Sequence, residues 1–200
     1  MEKRKVTVFD FDGTLTQEDT FINFARYSLG DLRLIRGIFL ASPWLVAWKL
    51  GVISGSKAKE KLYSFLYKGL KKTTVEAKGA DFMPDYREDV VSKLKRHKSE
   101  GDKVYIVSAS LDLWMEEIAR KLGVKLICTK TSVDFDGNID GCFASLNCHG
   151  EEKLRRLIDL EGERENFYLT VYGDEPGGGD EALFRSADES HYCISHGKED

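Results

Sequence analysis

Hydrophobic positions along the chain alternate between two periods. Lys5 to Asp10 carries Val6, Val8 and Phe9 in a short β-rich run that ends in carboxylates. From about Asp19 to Gly79 strand-like runs vanish and the spacing turns helical. Asp19 is placed to cap a helix whose apolar face includes Phe21, Phe24 and Ala25. Ala58, Leu62, Phe65 and Leu66 recur at i, i+4, i+7 and i+8, the stripe of another amphipathic helix. After Pro84 strands return. A helix with Val90, Val91 and Leu94 stops at Gly101, where a C-terminal cap belongs. Val104 to Val107 reads as a buried parallel strand. Leu111, Trp114, Met115, Ile118 and Leu122 mark a helix closed by Gly123, and Val124 to Cys128 a further strand. Asp136-Gly137-Asn138 and Gly141 signal a hairpin within 129–146. A helix from about Glu151 to Leu160, a strand from Phe167 to Tyr172, a helix near Asp180 to Ala187 and a short strand around His191 to Ile194 follow.

This alternation predicts an α/β fold: a Rossmann-like, doubly wound parallel sheet with an inserted helical cap. Residues 1–16 and 84–200 are expected to form the core and 17–83 the cap. One run stands apart. GIFLASPWLVAW, Gly37 to Trp48, holds no charge and is bracketed by Arg36 and Lys49. About 20 apolar residues are needed to span a bilayer, and Pro43 interrupts this shorter run, so a buried helix pair is expected. Trp44 and Trp48 keep an alternative open, peripheral membrane contact through 37–48, because indoles favour the headgroup region.

Composition changes this picture little. A net charge of −4 gives the chain no general attraction for nucleic acid, so any basic site must be local. Cys128, Cys142, Cys148 and Cys193 form no C-x-x-C pair and lack histidines at finger spacing, which argues against structural zinc. With no apolar leader after MEKRK, a reducing cytoplasmic setting with free thiols is expected.

Ligands of doubly wound sheets bind outside the carboxyl ends of the strands. There the sequence offers Asp10 and Asp12 after the first strand, Ser108 after the second, and Gly173-Asp174 after the strand at 167–172. Carboxylates so clustered need a cation or shared protons, and oxygen-only ligation suits Mg²⁺. Gly13 and Thr14 open a tight turn whose N–H groups can face an anion, with the Thr14 hydroxyl beside them. The string Asp134-Phe135-Asp136-Gly137 looks alike but follows a polar stretch and reads as a hairpin turn.

These residues resemble the motifs of the haloacid dehalogenase-like superfamily, in its phosphoserine-phosphatase-like branch with a helical cap. The resemblance covers nearly the whole chain. It is carried by Asp10-Phe11-Asp12-Gly13-Thr14, by Ser108 in Val107-Ser108-Ala109-Ser110, by Lys153 after Asn147-Cys148-His149-Gly150, and by Tyr172-Gly173-Asp174 with a later acid, Asp180. It implies that Asp10 attacks phosphorus to form an aspartyl-phosphate, while Asp12 protonates the leaving oxygen and then activates water. It further implies Mg²⁺ on the Asp10 carboxylate, the Asp12 carbonyl and Asp174, with Asp180 as an indirect partner. Thr14, Ser108 and the Ala109 N–H would bind phosphate, and Lys153 would neutralise the transferring group. A cation in a helix's first turn opposes the dipole, so Lys153 is expected to face a bound anion.

The chain departs from the family where relatives read G-D-S-x-G-D. Here the acids Asp174 and Asp180 stand six residues apart, across a glycine-rich loop with Glu175 in the usual Ser position. The expected activity is a Mg²⁺-dependent phosphomonoester hydrolase on a small or lipid phosphate, the substrate enclosed by the cap. The lipid version rests on likeness of the 37–48 run to the cap of bacterial phosphatidylglycerophosphate phosphatases. A phosphoserine-type substrate fits less well, because the cap offers few isolated charges to pair with an amino acid. Dehalogenation is disfavoured because those relatives do not keep Asp12, and a catalytically impaired phosphate-binding protein is the alternative from another class.

Overall fold

Strand β1 (Arg4–Phe9) lies in the middle of a five-stranded parallel sheet ordered β3-β2-β1-β6-β7, with β2 Lys103–Leu111, β3 Lys125–Thr129, β6 Phe167–Gly173 and β7 Glu189–Tyr192. This is a computed structural model, and it describes residues 3–174 and 178–193. The chain runs outward from β1 to β3, then returns to the other side of β1 with β6, so the winding reverses between β1 and β6. That reversal opens a crevice at the carboxyl ends of those strands. Asp10 sits in it, its N–H donating to the Tyr172 carbonyl at 2.9 Å.

Alternation along the strands splits the core in two. Val6 and Val8 pack with Leu157 and Leu183 on one side of the sheet, where α7 (Glu151–Glu161) and α8 (Glu181–Ser186) lie. Phe9, Val104 and Ile106 join the larger cluster on the other side. Between β1 and β2 come α1 (Thr20–Leu29), α2 (Asp31–Lys49), α3 (Gly55–Tyr67), α4 (Lys72–Asp81) and α5 (Glu88–Ser99). Phe21, Phe24, Tyr63 and Tyr67 from this stretch share the larger cluster with Phe11 and with Trp114 of α6 (Asp112–Leu122). The Asp19 carboxylate caps α1 by accepting from the Phe21 N–H at 2.7 Å. β4 (Thr131–Val133) and β5 (Ile139–Phe143) form the hairpin. Its turn is held by Asp134, which accepts from the Asp136 and Asn138 N–H groups, so the look-alike string is a turn.

Two expectations are corrected. The run at 37–48 is not a buried helix pair but part of one 19-residue helix, α2, that passes through Pro43. Only Leu34, Gly37 and Ala41 are buried along it, and Phe39 and Val46 are exposed. The physical reason is supply of neighbours: α3 covers one side of α2, Gly37 against Leu66 and Trp44 against Phe65, while Leu32, Ile35, Phe39 and Val46 on the opposite side stay exposed. The last strand is Glu189–Tyr192, shifted from the expected span, and Ile194 lies outside the described residues.

Candidate active site

Past Phe9 the backbone turns sharply rather than continuing as a strand. Gly13 has φ +80°, and a Cβ there would lie 2.6 Å from Asp174 Oδ2, so both the turn and the approach of Asp174 require glycine. The turn separates the two aspartates of the motif.

Asp10 is buried in an ionic cluster. Its Oδ1 accepts from Lys153 Nζ at 2.6 Å, and the Thr14 hydroxyl reaches Oδ2 at 3.4 Å. Lys153 comes from the first turn of α7, is 3% exposed, and donates equally to Asp180 Oδ1 at 2.6 Å. Carboxylate oxygens of Asp10, Asp174 and Asp180 lie within 4.8 Å of one another. Asp180 stands at the start of α8 without its side chain capping the helix, and Gly173 makes room for it, since a Cβ there would meet Asp180 Oδ2 at 2.8 Å. Gly150 N–H donates to the Gly179 carbonyl at 2.8 Å, tying the start of α7 to the turn before Asp180. The six-residue spacing therefore still returns Asp180 to the cluster. The reading of Glu175 and of Gly177 lies outside the described residues. Lys153 faces anions, as its position in the helix required, but these are the chain's own carboxylates.

Asp12 points elsewhere. Its Oδ1 accepts from the Thr20 N–H at 2.7 Å and the Thr20 hydroxyl at 2.5 Å. Its Oδ2 accepts from Ser110 Oγ at 2.6 Å and Ser108 Oγ at 3.3 Å. The expectation that its carboxylate joins those of Asp10 and Asp174 is corrected: hydroxyls across the turn hold it apart. Ser108 is buried at a break in the β2–β3 register, and its Oγ also accepts from the Ser110 N–H at 2.9 Å. Ala109 follows, its carbonyl accepting from Lys59 Nζ at 3.0 Å.

Burial pushes the Asp10 carboxyl up to about 8; Lys153 opposes this, and Asp180 and Asp12 add to it. Lys153 is shifted upward, its burial outweighed by Asp10 and Asp180. The donors are all oxygens, the set that suits Mg²⁺, so Asp10, Asp174 and Asp180 fit the implied ion.

Beside this cluster a cavity of about 620 Å³ opens between α1, α2 and α3 on one side and Ala109, Asn147 and His149 on the other. Phe21, Leu45, Trp48 and Leu62 give it an apolar wall, and Asp19 and Lys59 line it as well. Lys59 lies over the Phe21 ring at 5.3 Å; burial pulls its ammonium down, with Asp12 and Asp19 opposing. Lys59 and Asp19 are thus the charges that the helical side brings to this cavity. Sequence reasoning missed Ser110 and Thr20, which orient Asp12, and Lys59. Ser110 stood within the Ser108 motif, and Thr20 beside a recognised cap. Nothing marked Lys59 among the lysines of α3.

Residues 7–177 match the family described as haloacid dehalogenase-like hydrolase. The chain belongs to that family. Protein CicA of Caulobacter vibrioides is 32% identical over 199 residues, covering 96% of this chain and 87% of its own length. Among solved structures, a protein of unknown function from Bordetella pertussis Tohama I superposes with a TM-score of 0.79 at 22% identity, covering 98% and 92% of the two chains. A phospho-aspartyl intermediate analogue of phosphoserine phosphatase superposes with a TM-score of 0.65 at 24% identity, covering 97% and 88%. At these identities the two structures speak to the fold of this haloacid dehalogenase-like hydrolase.

Proposed function

We propose that the chain is a Mg²⁺-dependent phosphomonoester hydrolase that works through an aspartyl-phosphate on Asp10. The observation that carries this reading is the segregation of Asp10 and Asp12. Two carboxylates two residues apart are placed in unlike surroundings, one among ions and one among hydroxyls. Such a division of environments suits a division of labour. Asp10 Oδ attacks phosphorus as the bond to the leaving oxygen breaks, and Asp12 delivers a proton to that oxygen. Asp12 then takes a proton from water, whose oxygen attacks phosphorus and releases phosphate and the free Asp10 carboxylate. Lys153 offsets charge on the reacting groups, while Thr14 and Ser108 supply hydroxyl donors for phosphate oxygens. Asp10, Asp174 and Asp180 would hold Mg²⁺, which when bound supplies positive charge against the repulsion between carboxylate and phosphate.

The rest of the substrate would occupy the cavity beside the cluster. Its apolar wall supports a phosphate borne on an apolar or lipid-like group. A second reading is favoured by Asp19 and Lys59 on the same wall, a pair of opposite charges that suits a phosphorylated amino acid. Hydrolysis of p-nitrophenyl phosphate with and without Mg²⁺ tests the activity. Turnover that requires Mg²⁺ and is abolished by Asp10→Asn supports it, and absence of turnover in the unaltered chain leaves a phosphate-binding protein instead. Replacing Lys59 by Met divides the substrates: phosphoserine hydrolysis would fall while p-nitrophenyl phosphate hydrolysis persists only under the second reading.

A further inference from the structure

Helix α2 is apolar on both of its long faces. Leu34, Gly37 and Ala41 face inward and are buried. On the opposite side Leu32, Ile35, Phe39, Val46 and Leu50 are exposed by 84%, 64%, 74%, 55% and 73%. Their spacing, i, i+3, i+7, i+14 and i+18, with Pro43 at i+11, keeps them in one stripe along the helix and the Leu50 that ends it. A helix apolar all round is normally covered all round, and a stripe rimmed by charge marks an interaction surface.

The charge beside the stripe says what covers it. A groove of about 970 Å³ between α2 and α3 is lined by Arg33, Arg36, Lys61 and Lys68 together with apolar side chains such as Trp44, and by no carboxylate. None of these four cations is ion-paired among the described residues. This collection of positive charge stands out on a chain whose net charge is −4. Leu32 and Arg36 border the groove and lie along the exposed side of α2, so apolar contact and positive charge share one surface.

We infer that this surface docks the protein on an anionic lipid bilayer, with the α2 stripe at the acyl boundary and the groove against lipid phosphates. No described helix is long and apolar enough to cross a membrane, so α2 would lie along the interface. A second copy of the chain fits less well, because a two-fold contact would set the same four cations against one another. The inference goes beyond the hydrolase reading and does not depend on it.

Co-sedimentation of the full chain with vesicles tests it, using phosphatidylcholine alone and an equimolar mixture with phosphatidylglycerol. The expected result is binding to the mixed vesicles only, weakened by salt. A cation near an anionic surface contributes roughly fivefold in partition, so R36A/K61A would bind roughly thirtyfold more weakly. I35S/F39S would lose at least tenfold, at about 0.8 kcal/mol for each buried methylene removed. These positions are exposed, and an unchanged circular dichroism spectrum verifies that each variant is folded. Failure to bind, equal binding to neutral vesicles, or binding that neither variant weakens would overturn the inference. So would a dimer in solution that I35S/F39S dissolves, which would assign the surface to a second copy.

Discussion

Lys153 Nζ and Asp10 Oδ1 meet at 2.6 Å across 143 residues of sequence, and the same ammonium holds Asp180. The contact joins the first turn of α7 to the end of β1 inside the sheet's crevice. It balances charge that burial would otherwise expel.

Lys153→Met removes the cation and leaves Asp10 and Asp180 uncompensated. Losing one partner of a buried ion pair costs about 3–5 kcal/mol. Urea unfolding without Mg²⁺ should show that loss, and added Mg²⁺ should recover part of it by supplying the missing charge. Hydrolysis should fall with it, whatever the Mg²⁺ concentration.

Asp12→Asn retains the shape of the side chain but not its capacity to pass a proton. Catalysis by a positioned acid or base contributes typically 10²–10⁴-fold, and kcat should fall within that range. KM should change little, because the carboxylate is held by Thr20, Ser108 and Ser110. Steady-state kinetics on p-nitrophenyl phosphate reads both.

Gly13→Ala and Gly69→Ala make a matched pair. Both glycines have a left-handed backbone, with φ +80° at Gly13 and +83° at Gly69, but a Cβ at Gly69 meets nothing within 4 Å. Gly69→Ala should cost about 1–2 kcal/mol of backbone strain alone. Gly13→Ala should cost more and weaken Mg²⁺ activation at least tenfold, because its methyl would displace Asp174. Thermal unfolding and a Mg²⁺ titration of activity separate the two effects.

Thiol chemistry gives a pH prediction. Burial pushes Cys128 up to about 12 and Cys148 up to about 11, from an ordinary 9. In the folded chain iodoacetamide at pH 8 should therefore label exposed Cys142 before either. Because the folded values are raised, the stabilisation from these thiols is complete below about 9. It is lost as pH climbs toward 11 for Cys148 and 12 for Cys128, since the unfolded chain ionises first. Urea midpoints should fall across that window, less so in Cys148→Ala.

The sheet and most helices were legible because their apolar periods are unambiguous and glycines punctuate them. Asp10, Ser108, Lys153 and Asp174 could be placed at strand ends or helix starts from order alone. The direction of Asp12 could not, because a backbone turn at Gly13 decides it. Lys59 was hidden for another reason: its significance comes from α3 packing over the strand ends, and no local pattern records that contact. The run at 37–48 misled because hydrophobicity reports a preference for leaving water without naming the partner. Only the packing of the neighbouring helices showed which side of α2 stays exposed among the described residues.

The larger hydrophobic cluster has a consequence for evolution and engineering. Phe24 and Tyr67 of the helical segment pack in one body with Trp114 and Phe9 of the sheet side. The inserted helices are therefore not a detachable accessory. A segment transplanted alone would have to match the aromatic shapes along this shared seam, so both sides would need to be recut together.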